Sequence, residues 1–183
     1  VSIRDLADCQ DEVEDDENEI LLPWVVEEKA YGGTPMKTAF SEIIGIAENF
    51  AQNHSNSFPP VIVNITDGKP TDCNEADLPS IVSPLMNIST SDGSALVFNV
   101  HISPDPSNPV FLPGPGDSLP NNYAECLYNA SSELPATLAD IGRNDHGMTI
   151  GEGAKCFAFN ADSALLIKLL SLASSGGGGD REV

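Results

Sequence analysis

The chain has 183 residues, enough for one ordinary domain around a single core and cramped for two. Its 28 acidic and 8 basic side chains give a formal charge of −20, a field that repels phosphate backbones and anionic lipid surfaces. Nucleic acid and membranes are therefore not expected partners, and no apolar run reaches the roughly 20 residues that a membrane-spanning helix needs.

Part of the acidic excess is local. Residues 11–19 (DEVEDDENE) form a like-charge run that reads as a solvated, flexible segment, without the glycine and spaced ligands of an EF-hand loop. Residues 20–26 (ILLPWVV) read as a short strand in which Pro23 marks an edge or a break. GGTPM, at 32–36, opens a segment with apolar residues at Met36, Phe40, Ile43, Ile44, Ala47 and Phe50. That spacing is close to the helical period and gives the clearest helix in the chain. Thr34 is placed to cap it, and Pro35 fits its first position, where a missing N–H costs nothing.

Residues 61–66 (VIVNIT) are too continuously apolar for a half-exposed strand and predict a parallel strand buried on both faces, closed by the Asp67-Gly68 turn. A helix over 75–87 carries Pro79 and Pro84, which predicts a late start or a kink. Residues 95–102 (ALVFNVHI) read as a second buried strand, and 103–120, rich in Pro and Gly, as an irregular excursion. Helices follow around 123–131 and 135–142, then a strand at 155–159 (KCFAF) and an apolar-faced helix over 161–172 capped by Asn160. Strands alternating with helices predict an α/β fold, a three-layer sandwich around a mostly parallel, doubly wound (Rossmann-like) sheet. The expected organisation is an acidic flexible segment at 1–19, the domain at 20–173 and a Gly-rich disordered tail at 174–183.

Cys9, Cys73, Cys126 and Cys156 are widely spread, with no CxxC pair and no His at zinc-ligand spacing, and read as free thiols. No Walker A string, GxGxxG string or nucleophile elbow occurs. His101, at the end of a buried strand, reads as a neutral structural histidine. Asp72, Glu75 and Asp77 read as surface acids available to orient the loop after residue 66. In parallel sheets the functional loops lie at the carboxyl ends of the strands, which directs attention to Asp67. A threonine hydroxyl and an aspartate carboxylate suit a hard cation such as Mg²⁺, which takes oxygen ligands and keeps several waters. Taken alone, the same two residues also read as a helix cap and a turn residue.

The wording GGTPM, then a helix, then VIVNITDGKPTD resembles the second and third loops of the metal-ion-dependent adhesion site of von Willebrand factor A (vWA) domains. TSDGSALVFNVH (90–101) and GAKCFAFNADSALLIKLL (153–170) look like the later part of a bacterial intracellular vWA subgroup, so the resemblance covers most of 31–172. It implies a vWA fold with its first strand missing, and a metal site to which Thr34 brings a hydroxyl and Asp67 a carboxylate. In an intact parent that site holds Mg²⁺ or another divalent cation, whose open position takes an acidic group of a protein partner. The implied protein is a non-enzymatic, cytoplasmic interaction module, with kinase and phosphatase components of stress-response systems as suggested partners. The family's first loop, Asp-x-Ser-x-Ser, occurs nowhere, and residues 2–5 (SIRD) do not match it. The expectation is a chain that begins after that loop, holds little Mg²⁺ by itself and exposes apolar flanks where the first strand would lie. The alternatives are a metal-free interaction scaffold acting through 103–120, and a metal-assisted hydrolase using Asp67 with His101.

Overall fold

The computed structural model describes residues 10–15, 18–23, 32–103 and 107–175, the first two segments through their backbone alone. The chain divides into two compact units, Val1–Gly32 and Gly33–Val183. In the first, β1 (Gln10–Asp15) and β2 (Asn18–Pro23) pair antiparallel, with Gln10 opposite Pro23 and Asp15 opposite Asn18. The acidic run read as a flexible segment thus has strand backbone over 10–15, because ladder pairing satisfies backbone N–H and C=O groups whatever charge the side chains carry. Of the strand expected at 20–26, residues 20–23 belong to β2 and 24–26 lie outside the described residues, as do 176–183 of the expected tail.

The second unit runs α1 (Met36–Asn53), β3 (Val61–Thr66), a 3₁₀ turn (Glu75–Asp77) leading into α2 (Leu78–Met86), the small hairpin β4 (Ser89–Thr90) and β5 (Gly93–Ser94), and β6 (Leu96–His101). It continues with β7 (Val110–Phe111), α3 (Asn122–Asn129), α4 (Ala136–Asn144), β8 (Phe157–Phe159) and α5 (Ser163–Ser175). The main sheet has the order β3-β6-β8-β7, with β3, β6 and β8 parallel and β7 antiparallel to β8. Helices cover both faces, giving an α/β fold of Rossmann-like kind.

Strand alternation divides the core between the two faces. Leu96, Phe98 and Val100 of β6, with Cys156 and Ala158, pack against Leu138 of α4 and Leu169 and Leu172 of α5. Val97, Phe157 and Phe159 turn the other way, onto Met36 and Phe40 of α1, Val82 and Leu85 of α2, and Tyr123 and Leu127 of α3. All six residues of β6 are buried, as its sequence predicts. β3 is not: five of its residues are only partly buried or exposed, and Ile65 is 46% exposed. The cause is position, because β3 ends the sheet and no strand pairs with its far side among the described residues.

One local feature follows the sequence reading and two depart from it. The helix expected over 75–87 begins late, Pro79 lying in the first turn of α2, and it stops two residues after Pro84, whose ring removes an interior hydrogen bond. The excursion at 103–120 contains β7, a two-residue edge strand too short to show a period. Asn160 does not cap α5: it sits at φ 48° and its Oδ1 accepts from the Ser103 N–H at 2.7 Å, while Asp162 takes the Leu165 N–H at 2.8 Å as the helix cap.

One polar group ties the central strand to α3. Asn99, fully buried in β6, donates from Nδ2 to the Ala130 carbonyl (3.1 Å) and Ser131 Oγ (3.0 Å), and its Oδ1 accepts from Asn64 of β3 (2.9 Å). An Asn99→Leu substitution is expected to lower stability by about 2–3 kcal/mol, since each buried polar group left unpaired costs about 1–3 kcal/mol. Urea denaturation checks this, and an unchanged midpoint would contradict it.

Candidate metal centre

The carboxyl end of β3 and the N-terminus of α1 are fastened to each other. The first-turn N–H groups of a helix have no partner within it, and in α1 most of them are met from outside. Lys37 N–H donates to Asp72 Oδ1 (3.0 Å), and Thr38 donates to Asp72 Oδ2 from both its N–H (2.8 Å) and its hydroxyl (2.9 Å). The Met36 N–H reaches the Thr34 carbonyl at 2.8 Å. A second clasp lies one residue earlier, where Thr34 N–H donates to Thr71 Oγ1 and Thr71 N–H donates to the Thr34 carbonyl, both at 2.9 Å. Gly33, at φ +95°, leaves room for this: a Cβ there would stand 3.1 Å from Thr71 Oγ1.

The cap expected from Thr34 is therefore supplied by Asp72. Pro35 takes the N-cap position with no side-chain cap bond, because the incoming loop brings a carboxylate to the same N–H groups. Among the described residues the Thr34 hydroxyl makes no hydrogen bond, and it lies 3.0 Å from where a Cβ on Gly68 would stand. The Asp67 carboxylate, next in the chain to Gly68, likewise has no hydrogen bond or ion pair among the described residues. The turn that carries Asp67 and Gly68 thus passes beside Thr34.

The turn carrying Asp67 is held from below. Thr66 Oγ1 donates to the Gly68 carbonyl (2.9 Å), and Tyr123 Oη of α3 donates to the same oxygen (2.8 Å). Burial, only partly offset by its hydrogen bond with Thr66, pushes the Tyr123 phenol up to about 12, so it remains a donor throughout the neutral range. Lys69 pairs with Glu75 at 2.7 Å and lies 5.8 Å from the Tyr123 ring centre. A cleft of about 570 Å³ opens beside the turn, lined by Asp67, Lys69, Glu75, His101, Asn122 and Tyr123 among others.

His101 is 5% exposed and stands edge-on to Tyr123 and Phe159, with Nδ1 buried and, among the described residues, without a hydrogen-bond partner. Burial lowers its pKa, the nearby Asp67 charge opposing and Lys69 adding to the shift, which fits the neutral structural role read from the sequence. No hydrogen bond joins His101 to Asp67 among the described residues. Cys73, Cys126 and Cys156 are free thiols, and burial raises the pKa of each.

Comparison of the chain with protein-family models, curated proteins and solved structures returns no match. The site is accordingly argued from its own groups. A hydroxyl and a carboxylate are hard oxygen donors of the kind Mg²⁺ accepts, but they fill two of the six positions it requires. No cluster of three or more His, Cys, Asp or Glu side chains placed to hold a metal occurs among the described residues. Sequence reasoning missed the part played by Thr71 and assigned Asp72 only loosely. Both follow GKP in the loop, and only the fold shows that they meet the helix N-terminus.

Partial desolvation would raise the Asp72 carboxyl, but its hydrogen bonds with Thr38 and Lys37 outweigh this and hold its pKa below the ordinary aspartate value. A carboxylate with a depressed folded pKa stabilises the fold above its unfolded pKa, near 3.9, and loses that contribution as pH falls through the folded value. Asp72→Ala is expected to lower the thermal midpoint at neutral pH and to narrow the gap from wild type below about pH 4. A gap of constant size down to the acid transition would contradict the capping role.

Proposed function

We propose that this unit is a vWA-type interaction module in which Thr34 and Asp67 supply two groups of a Mg²⁺-dependent adhesion site. The observation that supports the reading is the closeness of Thr34 Oγ1 to Gly68, next in the chain to Asp67, with neither the Thr34 hydroxyl nor the Asp67 carboxylate hydrogen-bonded among the described residues and with Thr71 and Asp72 bonding the two loops to each other. Every other polar side chain from Thr66 to Asp72 that could compete with Asp67 is already occupied: Thr66 by Gly68, Lys69 by Glu75, Thr71 by Thr34 and Asp72 by α1. Fixing the neighbouring side chains lowers the cost of assembling a metal site, because fewer groups must be ordered on binding.

A divalent cation bound there would supply concentrated positive charge and an open position for a carboxylate of a protein partner. Asp67 would contribute the anionic oxygen and Thr34 the neutral one, leaving net positive charge for an acidic ligand to meet. The remaining oxygen ligands required by this reading are not among the described residues. β3 also ends the sheet among the described residues, and a further parallel strand beside it would bring its carboxyl end next to Asp67. The domain would act by binding, its overall −20 charge directing it to partners with a local acidic group presented within an otherwise basic or neutral surface.

Mn²⁺, a paramagnetic stand-in for Mg²⁺, tests the two groups even where affinity is weak. Substoichiometric Mn²⁺ is expected to broaden the amide resonances of Thr34 and Gly68 before others, and Asp67→Ala to abolish that preference. Gly68→Ala is expected to weaken it by about tenfold through displacement of the Thr34 hydroxyl. Broadening centred on other acidic residues and equal in wild type and Asp67→Ala would sink the proposal.

A further inference from the structure

The cleft beside the Asp67 turn lies at the carboxyl ends of β3 and β6, the end of a parallel sheet at which small ligands bind. Its volume, about 570 Å³, falls within the range of small-molecule sites. The groups that line it are of both signs.

The positive side includes the N-terminus of α3. Asn121 is the N-cap: its Oδ1 accepts from the Ala124 N–H at 2.9 Å, and its carbonyl accepts from the Glu125 N–H at 3.1 Å. The two amides ahead of these, on Asn122 and Tyr123, have no hydrogen-bond partner among the described residues. They stand at the end of the helix that carries about half a positive charge. At α1 the Asp72 carboxylate meets first-turn amides of this kind, and no carboxylate does so at α3 among the described residues.

The negative side consists of Asp67 and Glu75. Glu75 is neutralised by Lys69 at 2.7 Å, which leaves Asp67 as the carboxylate without a hydrogen bond or ion pair among the described residues. His101 also lines the cleft. It is 5% exposed, with Nδ1 buried and neither ring nitrogen hydrogen-bonded among the described residues. A neutral imidazole carries one donor and one acceptor, so it can donate to a carboxylate or accept from an ammonium, and a buried nitrogen left without either is costly.

We propose that this cleft binds a small zwitterion of amino-acid type, its carboxylate on the Asn122 and Tyr123 amides, its ammonium on the Asp67 carboxylate and one of its ends hydrogen-bonded to His101. The electrostatics favour a ligand with two charged ends and no net charge. The −20 charge of the chain repels a simple anion from α3, and a simple cation meets Asp67 while leaving the α3 amides unmet. A zwitterion has no net charge for that field to repel, and it meets both. The inference goes beyond the metal-site reading and does not rest on it. Ammonium and divalent cation seek the same carboxylate, so the two bind in competition.

The test is an NMR titration of the full chain, in EDTA, with glycine, β-alanine and γ-aminobutyrate, whose charged ends are set apart by one, two and three carbons. At least one of them is expected to shift the Asn122, Tyr123 and Gly68 amides and the His101 ring nitrogens together and to saturation. Blocked forms of that ligand separate its two ends. The N-acetyl derivative keeps the carboxylate and the primary amide keeps the ammonium, and each is expected to bind about tenfold or more weakly. Asn122→Pro removes one donor at the first helical position, where proline is tolerated, and the extended backbone of Asn121 (φ −160°, ψ 170°) accommodates it. That variant and Asp67→Asn are each expected to weaken binding by about tenfold with the circular dichroism spectrum unchanged. No saturable shift with any of the three ligands, blocked forms that bind as well as the parent, or binding indifferent to both Asn122→Pro and Asp67→Asn would each overturn the proposal. The two readings of Asp67 fail separately. Absence of zwitterion binding with the Mn²⁺ broadening at Thr34 and Gly68 intact overturns the zwitterion alone, and zwitterion binding without that broadening counts against the metal site alone.

Discussion

The carboxylate of Asp72, reaching the first-turn amides of α1, is the interaction on which the arrangement of the site depends. α1 begins after Pro35 with no side-chain cap of its own and no acidic residue in its first turn. Its N-terminal amides are therefore left to the loop after β3. By meeting them, Asp72 joins two segments 34 residues apart in sequence and sets the height of Thr34 relative to the turn at Asp67. Charge on this acceptor makes the bonds stronger than neutral ones, and it complements the positive end of the helix dipole.

Below that junction, the same economy of polar groups recurs. Tyr123 and Thr66 share one carbonyl oxygen at Gly68, and Asn99 satisfies α3 and β3 from the middle of the sheet. These bonds connect α3, β3 and β6 under the turn that carries Asp67. At the outer edge of β3 an apolar groove lies beside a strand that, among the described residues, pairs on one side only. Site and edge are adjacent, since Asp67 follows the last residue of that strand. Whatever pairs with β3 therefore lies one strand from the candidate metal centre.

Much of this was legible in the sequence where the signal was periodic. The spacing from Met36 to Phe50 pointed to α1, and the continuous apolar runs pointed to β3 at its observed bounds and to β6 one residue too long at each end. The burial of β3 was overstated, because a run of β-branched residues reports what a strand is built to be buried by, not what lies beside it. β7 was invisible, two residues being too few for any period. Asn160 and Asp162 are both plausible caps by composition, and only the left-handed backbone at Asn160 decides between them. Thr34 and Asp67 were singled out by their loops and their wording, whereas Asp72 and Thr71 act through contacts more than 30 residues distant, which no local pattern encodes.

The central claim is that the Thr34 hydroxyl and the Asp67 carboxylate are two ligands of one cation. Crystals of the chain soaked in Mn²⁺ and measured at a wavelength where manganese scatters anomalously test it most directly. The account predicts an anomalous peak within coordination distance, about 2.2 Å, of both Thr34 Oγ1 and an Asp67 carboxylate oxygen. A peak on Asp67 that excludes Thr34, or manganese found only on acidic residues away from this turn, would contradict it.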